Sequence, residues 1–135
     1  MAYVSCVNKE KLTDEKDYAA YLVPQHFHQQ EAALKKETAF WADRLKQDTA
    51  SYVNLMELGR CLLAEFRLTA SIEKLRAGDS LLKAASARLN HREPEILYAM
   101  TQNSITRHRF KEAAVLHQDA ARAGGNQYTL CLLSF

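Results

Sequence analysis

Glycine occurs only four times and proline twice in 135 residues, and this scarcity limits the fold more than any other feature. A β-sandwich of this length needs far more turn residues to reverse its strands. Ala, Leu, Glu, Lys, Gln and Arg, the strong helix formers, are abundant instead. The expected fold is all-α, with long helices joined by short turns, and the chain is long enough to bury a core of its own.

The few breaks, read with apolar spacing, divide the chain into segments. Thr13 is placed to cap a short helix over 14–22, which Pro24 ends because the residue before a proline is pushed out of helical geometry. A long helix over 25–47 carries Phe27, Leu34, Trp41 and Leu45 on one stripe. Asp48 or Thr49 caps a helix reaching Arg67, with Tyr52, Leu55, Met56, Leu58, Gly59, Leu62, Leu63 and Phe66 inward. Thr69 caps another reaching Leu89, with Ile72, Leu75, Leu81, Leu82, Ala85 and Leu89 inward. Pro94 suits the first turn of a helix over 94–106 that carries Leu97, Met100 and Ile105. A further helix starts near Phe110, carries Ala113, Ala114, Leu116, Ala120 and Ala121, and stops at Gly124-Gly125. The last segment, 127–135, contains Tyr128, Leu130, Cys131, Leu132, Leu133 and Phe135. With almost no polar cover, it calls for neighbouring helices or a second chain.

The totals exclude several functions. The apolar fraction of 47% and charged fraction of 25% are ordinary for a globular domain. A net charge of +2, with basic residues scattered as in Lys35-Lys36 and Arg107-His108-Arg109, provides no basic stripe for nucleic acid. No apolar run reaches the roughly 20 residues of a membrane span. Cys6, Cys61 and Cys131 are odd in number and far apart, so neither a disulfide framework nor a CxxC site is expected. His26 and His28 point to different sides of a helix, His91 lies in a turn, and His108 and His117 are nine apart. None has zinc-site spacing, and His117 falls within an alanine stripe as a packed residue. No metal or cofactor is expected. No nucleophile elbow, phosphate loop or paired-carboxylate signature occurs, so the expectation is a protein that is not an enzyme.

Phe110-Lys111-Glu112-Ala113, with Ala120 seven residues after Ala113, resembles the tetratricopeptide repeat. Leu97-x2-Met100 stands where that family has a bulky residue and then a leucine. Thr101 replaces the family glycine and Ser104 the family aromatic. A second, looser copy reads Tyr52-x2-Leu55-x2-Leu58-Gly59-x2-Leu62 and ends in Leu81-x2-Ala84, with a join around 66–77 about six residues longer than the family standard. The resemblance implies helix pairs stacked as an α-solenoid, with 1–12 a flexible tether, 13–48 an N-terminal helical cap anchored by Trp41, and 49–135 TPR-like repeats incomplete at the C-terminus. It also implies a concave groove holding a peptide or partner protein, lined near Met56, Arg60 and Leu63, then Tyr98, Gln102 and Thr106. Gln102 and Asn103 can bond a peptide backbone through their carboxamides.

Val4-Ser5-Cys6 followed by polar residues resembles the lipobox of bacterial lipoproteins, which implies lipidation of Cys6 and membrane attachment in a bacterial envelope. An ordinary exposed cysteine on a cytoplasmic protein is the other reading. The expected function is a non-catalytic protein-interaction scaffold, possessing an apolar C-terminal helix for self-association. The alternative is a helical bundle serving as an enzyme subunit or regulatory domain in the cytoplasm.

Overall fold

A computed structural model describes residues 14–19, 21 and 24–126, and among these the secondary structure is entirely helical. The helices are α1 (Glu15–Tyr18), α2 (Pro24–Gln47), α3 (Tyr52–Thr69), α4 (Ile72–Arg88), α5 (Pro94–Thr106) and α6 (Phe110–Arg122). The tether with Cys6, the cap residue Thr13 and the apolar segment 127–135 lie outside the described residues.

Serine side chains cap the starts of α3 and α4, and they correct two assignments. Ser51, not Asp48 or Thr49, caps α3: its Oγ accepts from the Asn54 N–H at 3.3 Å. Asp48 shapes the preceding turn by accepting from the N–H groups of Ala50 and Ser51. Ser71, not Thr69, caps α4. Thr69 is the final residue of α3, and its hydroxyl donates back to the Glu65 carbonyl at 2.8 Å. Pro24 opens α2 rather than only ending what precedes it, and Pro94 opens α5, both using an N1 position whose missing N–H costs nothing.

α3 packs most closely with α4, and α5 with α6. The α3–α4 pair is antiparallel: Arg88 at the end of α4 donates to the Ala50 carbonyl just before α3, and Lys74 near the α4 start pairs with Glu65 near the α3 end. Two glycines set how near these helices come. A Cβ at Gly78 would lie 2.9 Å from the Gly59 carbonyl oxygen and 2.8 Å from Leu63 Cγ. Here only hydrogen fits.

The core gathers Leu55, Leu63, Leu75, Leu82, Ala85, Ile96 and Met100. In α4 the buried pair is Leu82 and Ala85, both fully enclosed, while Ala84 is exposed. The expected Leu81-x2-Ala84 pair is therefore one position out of register. Ile72, expected inward, is 54% exposed. The expected long join is also corrected. Only Ala70 and Ser71 separate α3 from α4, and the additional residues extend the helices themselves. Along α2, Leu45 packs against the core. Trp41 is half-buried and meets Phe40 edge-on at 5.1 Å, and Phe27 is exposed.

Two carboxylates fasten the helices. Glu65 accepts from the Thr38 hydroxyl of α2 at 2.6 Å and pairs with Lys74 of α4 at 2.8 Å. Burial pushes its carboxyl up, but Lys74 and Thr38 outweigh that and hold it below its ordinary value. Asp79 of α4 meets Arg107, just after α5, at 2.7 Å and Lys83 at 2.9 Å. Burial again opposes ionisation, and the two cations overcome it.

Candidate functional site

Steps of three and four residues return a helix to the same side. Arg60, Leu63 and Arg67 therefore share one face of α3, and Tyr98, Gln102 and Thr106 share one face of α5. These two faces meet in a concave cleft of about 800 Å³. Leu63, Phe66, Leu75 and Ala99 form its apolar floor, and Gly124, Gly125 and Asn126 border it beside Tyr98.

Five of the six groove positions expected from the sequence line this cleft: Arg60, Leu63, Tyr98, Gln102 and Thr106. Leu63 is buried in the floor, Tyr98 is half-buried, and the other three are exposed. Met56 does not line the cleft. It lies one turn nearer the start of α3 and packs against the core. Asn103, singled out for its carboxamide, does line it. Phe66, Arg67, Leu75 and the 124–126 corner were not anticipated. Arg67 was legible as the next step of the Arg60 and Leu63 face. Leu75 and the corner come from other helices, and no local spacing reveals them.

The cleft is electrically two-sided. Arg60 reaches Glu57 only at 3.7 Å and stays exposed, and Arg67 makes no ion pair among the described residues. Glu93 and Glu95, flanking Pro94 at the start of α5, bring negative charge to the other wall. Tyr98 donates its hydroxyl hydrogen to the Asn126 carbonyl at 3.2 Å. Burial raises its phenol above the ordinary 10.0, so it remains a donor at neutral pH.

Asn103 is the most informative residue. It is 3% exposed, and its Nδ2 donates to Asp79 Oδ1 at 2.7 Å. Asp79, kept ionised by Lys83 and Arg107, thereby fixes which way the carboxamide points. The opposite atom, Oδ1, is buried without a hydrogen-bond partner. Leaving a buried acceptor unmade costs about 1–3 kcal/mol, so such a group needs a reason. Asn103 thus lines the cleft with one amide atom committed to Asp79 and the other enclosed.

The buried Cys61 thiol is raised to about 11, first by desolvation and then by the nearby acids Glu37, Glu57 and Glu65, so it is not a nucleophile at neutral pH. Among the described residues, no three His, Cys, Asp or Glu side chains gather as a metal site, and no helix is long and apolar enough to cross a membrane. His117 is half-buried, and its Nδ1 is enclosed without a hydrogen-bond partner. The chain matches no protein-family model, no curated protein and no solved structure.

Proposed function

We propose that this chain is a tetratricopeptide-type scaffold that binds an extended segment of a partner protein in the cleft between α3 and α5, without catalysing a reaction. The observation that carries the reading is the buried, unpaired Oδ1 of Asn103 among cleft residues. A peptide backbone supplies the missing donor at every residue. Two further features support the repeat. Ala113 and Ala120 are both fully buried, and Gly78 and Ala85, also seven apart, are buried in α4 in the same way. Gly59 and Gly78 are nineteen positions apart, whereas Thr101 and Ala113 are twelve apart. The seven additional residues amount to about one more turn on each arm of the first hairpin, which preserves the pairing.

The test is selection of peptides from a random library on the full chain, followed by affinity measurement. Arg67→Glu reverses a cleft charge and weakens selected peptides by about tenfold, equivalent to ~1.4 kcal/mol. Lys111→Glu, on exposed α6, leaves affinity unchanged. Failure to enrich any peptide, or equal effects of the two substitutions, removes the proposal.

A further inference from the structure

The charges that hold the helices together are paired: Glu65 with Lys74, and Asp79 with Lys83 and Arg107. The charges of the cleft are not. Arg67, Glu93 and Glu95 line it and make no ion pair among the described residues, and Arg60 meets Glu57 only at 3.7 Å. An unpaired charge on a surface is ordinary. Here, however, the two signs are divided between the ends of one concavity.

Helix directions make that division. Residues 89–93 join Arg88 directly to Pro94, while Asp79 reaches Arg107 beyond the far end of α5, so α4 and α5 are antiparallel. α3 and α4 are also antiparallel, and α3 therefore runs parallel to α5. Arg67, in the last turn of α3, lies toward the end of α5 that carries Thr106. Glu93 and Glu95 flank Pro94 at the opposite end of α5, in the part of the cleft bordered by Tyr98 and residues 124–126. Both ends share one apolar floor. Glu95 and Thr106 are eleven positions apart, roughly 16 Å at helical rise. An extended chain covers that distance in about five residues.

We propose that the occupant of the cleft is an extended peptide of opposite charges: a basic side chain at the Glu93 and Glu95 end, an acidic one about five residues away at the Arg67 end, and an apolar side chain between them. This rests on the reading of the cleft as a peptide-binding site, and it deepens that reading by naming the occupant's chemistry. Rim charges act mainly on specificity and on the rate of encounter. A wholly acidic segment is repelled by Glu93 and Glu95, and a wholly basic one by Arg60 and Arg67. Arg60, Arg67 and Glu95 are exposed, so salt weakens the discrimination.

The test is a random peptide library selected at low ionic strength on three full-length chains: the parent, Arg60→Glu with Arg67→Glu, and Glu93→Gln with Glu95→Lys. The parent is expected to enrich peptides with a base and an acid about five positions apart around an apolar residue. The arginine variant is expected to enrich bases at both charged positions, and the glutamate variant acids at both. A synthetic peptide from each selection should bind its own chain about tenfold more tightly than the mismatched chains. A variant that merely misfolds gains no peptide of its own, so the change of preference separates recognition from lost structure. The same charge pattern on all three chains, or parent peptides of a single sign, overturns the proposal while leaving peptide binding in place. Enrichment on none of the three chains removes peptide binding itself, and this proposal with it.

Discussion

Gly59 and Gly78 face each other across the α3–α4 contact, but they are not equivalent. A Cβ at Gly59 would sit 3.2 Å from the Gly78 carbonyl oxygen, tight but tolerable, whereas at Gly78 it would meet the Gly59 oxygen at 2.9 Å and Leu63 Cγ at 2.8 Å. Alanine gains about 1 kcal/mol of helix propensity over glycine at either site. At Gly59 that gain offsets the contact, so Gly59→Ala is expected to stay within about 0.5 kcal/mol of the parent. At Gly78 the helices must separate, and overpacking of this kind costs about 1–3 kcal/mol. Gly78→Ala is therefore expected to destabilise by about 1–2 kcal/mol net, read from urea midpoints of the two variants. Equal midpoints would show that the glycines do not set the helix separation.

α3 and α4 each begin by satisfying an orphan N–H with a serine side chain, whereas α5 and α6 have no side-chain cap. Ser51 and Ser71 both hold extended backbone and both accept from the N–H three residues on. Loss of such a cap typically costs about 1 kcal/mol. Ser51→Ala should cost more than Ser71→Ala. Its bond is shorter, at 3.3 Å against 3.5 Å, and the same turn seats the buried Asn54, whose Nδ2 donates to the carbonyls of Arg44 and Asp48. Thermal melts of the two single variants decide the order. The reverse order would mean that Asn54 fixes the α2–α3 turn without help from Ser51. Caps of this kind are visible in a sequence only as a choice among neighbours. Asp48, Thr49 and Ser51 are all competent, and the chosen residue is the one whose position lets Asn54 reach the end of α2.

At the scale of the whole molecule, two carboxylates join helices distant in sequence. Glu65 unites α2, α3 and α4, and Asp79 unites α4 with the end of α5. Both are held below their ordinary values of 4.5 and 3.8. Their contribution is complete above those values, where the unfolded chain is also ionised, and it is lost as pH falls through the lower folded values. The helical melting temperature should therefore fall steeply below about pH 4. Glu65→Gln should lower it at pH 7 and flatten its decline in acid, as circular dichroism melts across pH would show. An unchanged acid slope would remove Glu65 from the fold's electrostatic support.

The sequence by itself determined that the described residues are helical and, to within about two residues, where α2, α5 and α6 begin and end; of the alanines it set on α6, Ala113 and Ala120 lie inward while Ala114 and Ala121 are exposed. Backbone punctuation and helical periodicity are local properties, so they can be read without a partner. The sequence offered Ala84 through the repeat pattern and Ala85 through helical spacing, and only the tertiary structure chose between them: Ala85 is enclosed and Ala84 exposed, while Leu81 and Leu82 both pack inward. A single helical step turns a side chain by about 100°, and an apolar run offers more than one inward face until a neighbour selects it. The same holds for the cleft. Five groove residues were legible as faces of two helices, yet the floor residue Leu75, the glycine corner beside Tyr98 and the unpaired oxygen of Asn103 arise where separate elements meet. Asp79, twenty-four positions away, fixes the orientation of Asn103, and no spacing within α5 encodes that contact.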